Sequence, residues 1–345
     1  MFLKGACSGA VPCTMPSDKP PQNPPANNLN LQATRLGALW IDPAQHPQGR
    51  VHLSAASGLV RSGKSLFVVA DDELHLGVFD DTLAAGMPPP PGSLLRLLEG
   101  DLPQDPVQRK KLKPDLETLA LLPPLPGCVG GALLVLGSGS KSNREIGVLV
   151  ALGGPGKTNG RMAKVDLKPW YAPLRKRFAE LNIEGAWVSS GELLLLHRGN
   201  KSDVRSACIR YDWNLVAPWL AGLQPQPPAA KSVQVIALGA VNGIPLSLTD
   251  GAGLPDGEWM FSAVAEDTRD NVNDGACVGS AVGIVGADGQ VRLMFSLQGA
   301  PKVEGIAVQR DADDWVVTMV TDPDDATVAS QWLSVRWPLA QVMRP

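Results

Sequence analysis

From about Gln32 onward the chain is a succession of short apolar runs rich in Val, Leu, Ile, Phe and Trp, each closed by Gly, Asp, Asn or Ser. Runs this short, bounded by turn residues and rich in β-branched and aromatic side chains, predict strands rather than helices. The first set of four falls at 54–60, 65–70, 75–79 and 94–98, and the second at 117–122, 132–137, 146–152 and 163–167. The third lies at 184–188, 192–197, 207–212 and 233–238, and the fourth at 250–254, 258–265, 280–286 and 291–297. A fifth set has three runs, 304–308, 314–320 and 331–337. Helix is scarce: 171–181, with apolar Leu174, Phe178 and Leu181, is the one amphipathic stretch, and it falls between two sets.

The first strand of each set carries a common pattern: Ser57-Gly58-Leu59, Glu117-Thr118-Leu119, Glu184-Gly185-Ala186, Asp250-Gly251-Ala252 and Glu304-Gly305-Ile306, at intervals of 60, 67, 66 and 54 residues. Recurrence at this period marks one supersecondary unit repeated. Units of four strands predict an all-β fold, a five-bladed β-propeller, with six blades as the alternative count if two units have been merged. The last unit lacks a strand. The N-terminal run 33–40 supplies it, closing the ring and removing the exposed edge of an open array. Residues 1–31, dominated from Thr14 by Pro and Asn, cannot repay their ordering entropy and are expected to be disordered, leaving 32–345 as a single propeller domain.

Composition agrees with a turn-rich chain: 36 Gly and 31 Pro in 345 residues. The formal net charge of −3, with lysines and arginines scattered, gives no electrostatic footprint for nucleic acid or an anionic membrane. Five cysteines without a CxxC pair indicate neither a disulfide framework nor a zinc site. Absence of a long apolar run or a leader-like N-terminus makes a cytoplasmic location the expectation.

Gly58 to Ser65 satisfies the phosphate-loop pattern GxxxxGK[ST], and 151–158 misses it only at the first position. That chemistry needs a helix after the loop, whose amides and dipole hold the phosphates. Both matches run into strand-like sequence, so hairpin turns are expected and an NTPase is not.

In a propeller the first strand of each blade lines the central channel, which places Ser57, Glu117, Glu184, Asp250 and Glu304 in one ring. Two carboxylates 5 Å apart repel by roughly 3 kcal/mol at an effective dielectric near 20. Either the acids take up protons or a cation sits among them. Oxygen donors without His or Cys favour Ca²⁺. The alternative is that the acids accept hydrogen bonds from amides of neighbouring strands and pin the blades together. The segment Lys302-Val303-Glu304-Gly305-Ile306 resembles the closing blade of the calcium-activated nucleotidases, or apyrases. Ser57-Gly58-Leu59-Val60 with Leu66 to Asp72, and Glu117 to Ala120 with Leu133 to Gly139, are similar to that family's first two blades. The resemblance implies a five-bladed propeller with axial calcium held by Ser57, Glu117, Glu184 and Glu304. Asn182 to Gly185 followed by His197 to Asn200 also resembles the phytase-like and esterase-like propellers and their bacterial relatives.

The second strands end in polar residues, Asp71-Asp72, Ser138-Gly139-Ser140, His197-Arg198, Glu266-Asp267 and Thr321-Asp322, which should gather at one rim with Lys113, Lys141 and Arg144. Mixed charge around a cation suits an anionic small molecule such as a phosphoester. In that reading Lys113, Ser138, Ser140, Lys141, Arg144, Arg198, Glu266 and Asp322 bind ligand, and Asp72, His197 or Asp267 accepts a proton in metal-dependent hydrolysis. No GxSxG elbow accompanies the histidines, which argues against a serine hydrolase. The competing reading is a non-catalytic propeller with structural calcium that binds a ligand or a protein at the channel mouth.

Overall fold

The computed structural model describes residues 30–81, 89–267 and 275–338. The expected disorder of 1–31 therefore lies almost wholly outside the described residues. Two short strands open the chain, β1 (Asn30–Leu31) and β2 (Thr34–Ala38). Blade one is β3 (Ala56–Ser62), β4 (Ser65–Ala70), β5 (His75–Asp80) and β6 (Ser93–Arg96). Blade two is β7 (Leu116–Leu122), β8 (Ala132–Gly137), β9 (Ile146–Gly154) and β10 (Lys157–Asp166). Blade three is β11 (Ile183–Ser189), β12 (Glu192–His197), β13 (Ser206–Asp212) and β14 (Ser232–Ile236). A small hairpin, β15 (Ala240–Val241) and β16 (Ile244–Pro245), leads to blade four: β17 (Ser247–Gly253), β18 (Trp259–Asp267), β19 (Ala276–Val285) and β20 (Val291–Leu297). Blade five is β21 (Val303–Asp311), β22 (Asp314–Thr321) and β23 (Gln331–Pro338).

Each blade is an antiparallel meander, and β2 pairs antiparallel with β23 as the fourth strand of blade five, so the two ends of the chain close the ring as expected. The first strands touch in cyclic order, β3 with β7, β7 with β11, β11 with β17, β17 with β21 and β21 with β3, which fixes the number of blades at five. Asn30 and Leu31, left out of the fold by the sequence reading, pair in parallel with Ser296 and Leu297 on the outer edge of blade four.

Five buried clusters fill the five gaps between blades. Their membership explains why the second strands are continuous apolar runs. Successive side chains of a strand point to opposite faces, and here both faces are covered. Leu133 and Val135 pack with blade one while Leu134 and Leu136 pack with blade three. Leu193 and Leu195 face blade two while Leu194 and Leu196 face blade four.

The phosphate-loop matches are turns between strands. Gly63, at φ 57°, turns β3 into β4, and Gly156, at φ 72°, turns β9 into β10. The two turns meet across neighbouring blades, where the Ser65 hydroxyl donates to the Gly156 carbonyl at 2.9 Å and the Gly156 amide donates to Ser62 Oγ at 3.1 Å.

Helix is displaced from the expected span. The helix between blades two and three covers Lys168–Arg175, and Phe178 and Leu181 are buried in the segment after it. Two further helices flank it in the chain, Pro106–Leu112, N-capped by the Asp105 carboxylate, and Trp213–Leu220, N-capped by Asp212. In chain order these are α1 (106–112), α2 (168–175) and α3 (213–220). Their Asp caps and, for α1, a Pro at the first turn were visible in the sequence, but seven- or eight-residue helices give too little periodicity to register. No helix among the described residues is long and apolar enough to cross a membrane.

Candidate metal and ligand site at the channel mouth

A β-bulge interrupts every first strand near its start. The ladder skips from Ala56 to Gly58, from Leu116 to Thr118, from Ile183 to Gly185, from Leu248 to Asp250 and from Val303 to Gly305. The skipped residues are Ser57, Glu117, Glu184, Thr249 and Glu304. A bulged residue leaves the ladder and its side chain is re-aimed; here it brings Glu184 and Glu304 to a shared partner, Arg198. The glycines that follow have a steric cause. A Cβ at Gly58 would stand 2.8 Å from the Leu119 nitrogen, and one at Gly305 3.0 Å from the Leu59 nitrogen, so the first strands approach too closely for a side chain.

Asp250 is thus one place out of register with the other four, a correction to its expected ring position. Thr249 holds the bulge, donating from its hydroxyl to the Val303 carbonyl at 2.8 Å. Asp250 occupies the position of those glycines, against Gly185, and its carboxylate accepts from the Gly251 amide at 2.7 Å and from the Ile306 amide of the next blade at 2.8 Å. For this residue the pinning alternative describes the geometry. Asp250→Ala is expected to cost about 1–3 kcal/mol by stranding the buried Ile306 amide, with no change in the response to calcium; chemical denaturation with and without calcium measures both.

In an antiparallel meander the start of the first strand, the end of the second and the approach from the preceding blade share one end. Two charged networks assemble there. Around blade two, Asp115 is the hub: its carboxylate accepts from Arg144 at 2.6 Å and the Ser138 hydroxyl at 2.6 Å, and pairs with Lys113 Nζ at 3.0 Å. Ser140 Oγ lies 2.8 Å from Arg144, and Lys113 also binds Asp71. Around blades three to five, Arg198 pairs with Glu304 at 3.3 Å, with Glu184 at 3.5 Å and with Glu266. Lys302 joins Glu266 at 3.1 Å, Asp322 at 3.4 Å and Asp324 at 2.5 Å.

The repulsion expected of the ring is therefore met in part by the protein's own cations. Carboxylates still exceed them, and the residual strain shows in the acidities. Burial raises Glu184 to about 7 against the pull of Arg198, and Glu304 to about 8 against Arg198 and Lys302. Burial also raises Asp71 to about 7 and Asp322 to about 6. Glu117 is pushed well above the usual carboxylate range by burial and then by Glu184 and Asp115.

Of the predicted site residues, Ser57, Glu117, Glu184, Glu304, Lys113, Ser138, Ser140, Arg144, Arg198, Glu266 and Asp322 lie at this end of the blades. Lys141 lies exposed beside it. His197 does not line the mouth. It continues the alternation of Leu193 and Leu195 and so faces the core between blades two and three. There its ring is fully buried 4.0 Å from that of Phe178, Nδ1 lies 3.2 Å from both the carbonyl and the amide of Asn182, and burial lowers it to about 4. Asp72 also turns away, to Arg50 at 2.9 Å and Arg109 at 3.2 Å. Asp267 is exposed at the end of β18. Sequence reasoning passed over Asp115, Lys302 and Asp324, and took Asp71 only as a strand end. Asp115 was marked by its place just before a first strand, where the entering chain needs a left-handed turn, here φ 56°, that Asp tolerates.

Carboxylate oxygens of Asp71, Asp115 and Glu117 lie within 4.8 Å of one another. With the adjoining Ser138 and Ser140 hydroxyls this all-oxygen set fits a hard divalent ion, and the Lys113 ammonium already stands among the acids as a cation. A second group, His46, Glu73 and His75, has the same spacing but a different organisation. The Gln48 amide donates to His46 Nδ1 at 3.1 Å, so Nε2 carries the ring proton and faces Glu73 at 3.2 Å, while Arg50 and Arg109 reach Glu73 at 3.3 and 3.2 Å. This is an ion-paired clamp, and Glu73 is held down at about 2, burial being outweighed by its histidine and arginine partners.

Fold and mouth together define a five-bladed β-propeller with a bulge-lined acidic axis and a mixed-charge rim. The chain belongs to the family described as a family of unknown function (DUF6929), whose model matches residues 52–337. No match is found among curated proteins. Among solved structures it is similar to an α-L-arabinofuranosidase from Fusarium graminearum, at 10% identity and a TM-score of 0.43 over 91% of this chain and 100% of that one. It is also similar to a luciferin-regenerating enzyme, at 10% identity and 0.40 over 82% and 91%, and to an arabinanase from Bacillus subtilis, at 11% identity and 0.39 over 90% and 99%.

Proposed function

We propose that the channel mouth is a calcium site and that the loaded protein is a metal-dependent phosphoester hydrolase. The observation that carries this reading is the convergence of Asp71, Asp115 and Glu117 from two different blades, with the Lys113 ammonium paired to the first two. Calcium bound there would supply the charge that polarises a phosphoryl oxygen and activates a water. Arg144 and Lys113 stand beside the acids to hold phosphate oxygens by charge-assisted hydrogen bonds. Asp267, with Asp72 paired to arginines and His197 buried, is the candidate proton acceptor whose carboxylate is exposed. The likeness to the calcium-activated nucleotidases in the closing blade supports the same assignment.

A second reading has its own observation. Arg198 and Lys302 are each surrounded by carboxylates, so among the described residues neither of these two cations is left uncommitted for a phosphate. On that ground calcium would be structural and the mouth would bind a ligand or a protein without turnover. Metal analysis of the purified protein, with phosphate release from nucleotides and inositol phosphates in calcium and in chelator, separates the two. The hydrolase reading expects bound calcium and chelator-sensitive release. Chelator-sensitive melting without release leaves the structural role, and absence of both removes calcium.

A further inference from the structure

Lys113 and Arg144 bind the same acid but are tethered differently. Arg144 is held also by Ser140 at 2.8 Å and by the Lys110 carbonyl at 3.2 Å, the second a bond outside the acidic group. Among the described residues the Lys113 ammonium is held by carboxylates of the acidic group alone, Asp71 and Asp115. Its backbone is fixed, the amide donating to the Arg109 carbonyl at 2.8 Å and the carbonyl accepting from Asn143 at 3.0 Å. Its side chain is 12% exposed. A lysine is a compact charge on a flexible four-carbon stem, able to leave one anion for another without moving the backbone.

We infer that Lys113 is a built-in competitor for the calcium site: its ammonium fills the place of the ion when calcium is absent and is displaced into the mouth when calcium binds. The inference rests on the calcium reading of the mouth and deepens it. The ammonium and a divalent ion would need the same carboxylate oxygens of Asp71 and Asp115 and would repel each other at short range, so entry of the ion favours departure of the one cation there that a flexible stem can carry away. Exchange keeps the acids neutralised in both states, and it delivers the displaced ammonium to the side where an anionic ligand would dock. Calcium and anion would then bind with positive linkage, each raising the affinity for the other by the same factor.

Titration calorimetry of the full chain with calcium chloride tests this. Removing the competitor in Lys113→Met is expected to tighten calcium binding by about tenfold or more; Lys113→Gln, which keeps a polar end, should do the same. In the wild-type protein, the rate of Lys113 acetylation by acetic anhydride, followed by mass spectrometry, should rise several-fold on adding calcium. Wild-type affinity in both folded variants, or calcium binding that leaves acetylation unchanged, overturns the competition while the calcium site stands. If neither wild type nor either variant binds calcium, the calcium reading itself is overturned. Binding by the variants alone would be competition in its strongest form.

Discussion

Replacing Arg198 with methionine should lower the unfolding free energy by about 3–5 kcal/mol at about pH 9, where Glu184 and Glu304 are ionised, the range found when one partner of a buried ion pair is removed. Arg198 is the cation shared by Glu184, Glu304 and Glu266, and all four side chains are largely removed from water. Methionine preserves much of the aliphatic volume, so the loss reports unpaired carboxylates rather than a cavity. The expected signature is its pH dependence. Once Glu184 and Glu304 are protonated the missing charge no longer matters, and most of the loss should return to wild-type level near about pH 5. Urea denaturation of both proteins at two pH values measures it. A loss that is the same at both would place the effect in packing.

The second large effect concerns the wild-type protein without divalent ions, whose stability should fall as pH rises from about 5 to 8. The sign follows from proton counting. Unfolded carboxylates titrate near about 4, whereas folded Glu184, Glu304, Asp71 and Asp322 sit at about 7, 8, 7 and 6. Between these limits the folded state binds more protons, so raising the pH favours unfolding, and the full benefit is present only below the unfolded values. Glu73 works in the opposite sense. Its folded value of about 2 lies below the unfolded one, so its contribution is present above about pH 4.5 and is lost as pH falls toward 2. The two trends place the stability maximum near about pH 4, where the unfolded carboxylates titrate. Calcium at the mouth should flatten the alkaline limb, because the ion neutralises what protons otherwise must. Melting temperatures across this range, in chelator and in calcium, test both statements; a flat profile in chelator would remove the excess of axial carboxylates from the account.

How far the chain could be read depended on which physical signal each element carried. Four strands, at 65–70, 132–137, 192–197 and 291–297, coincide with the sequence reading because each is a run bounded on both sides by turn residues or charges. The first strands were placed less well, starting two residues late at Ala56 in blade one and three early at Ser247 in blade four. Their bulges break the alternation on which placement relies. The same break misled the reading of Asp250. Counting by Glu-Gly and Asp-Gly pairs aligned it with Glu184 and Glu304, whereas the ladder aligns Thr249 with them. His197 shows the reverse failure, since its parity with Leu193 and Leu195 was legible and pointed into the core.

The sequence by itself determined the all-β class, the repeat, the closure of the ring by the N-terminal strand and the gathering of acids on one axis, because these follow from local periodicity and from a unit that recurs. Only the tertiary structure decided which acids face one another, which are answered by Lys113, Arg144, Arg198 and Lys302, and which, like Asp250, are spent on backbone amides. Arg198 with Glu304 and Asp250 with the Ile306 amide come from different blades and lie far apart in the chain, and such a buried charge acquires its partner, and hence its acidity, only from what the ring brings beside it.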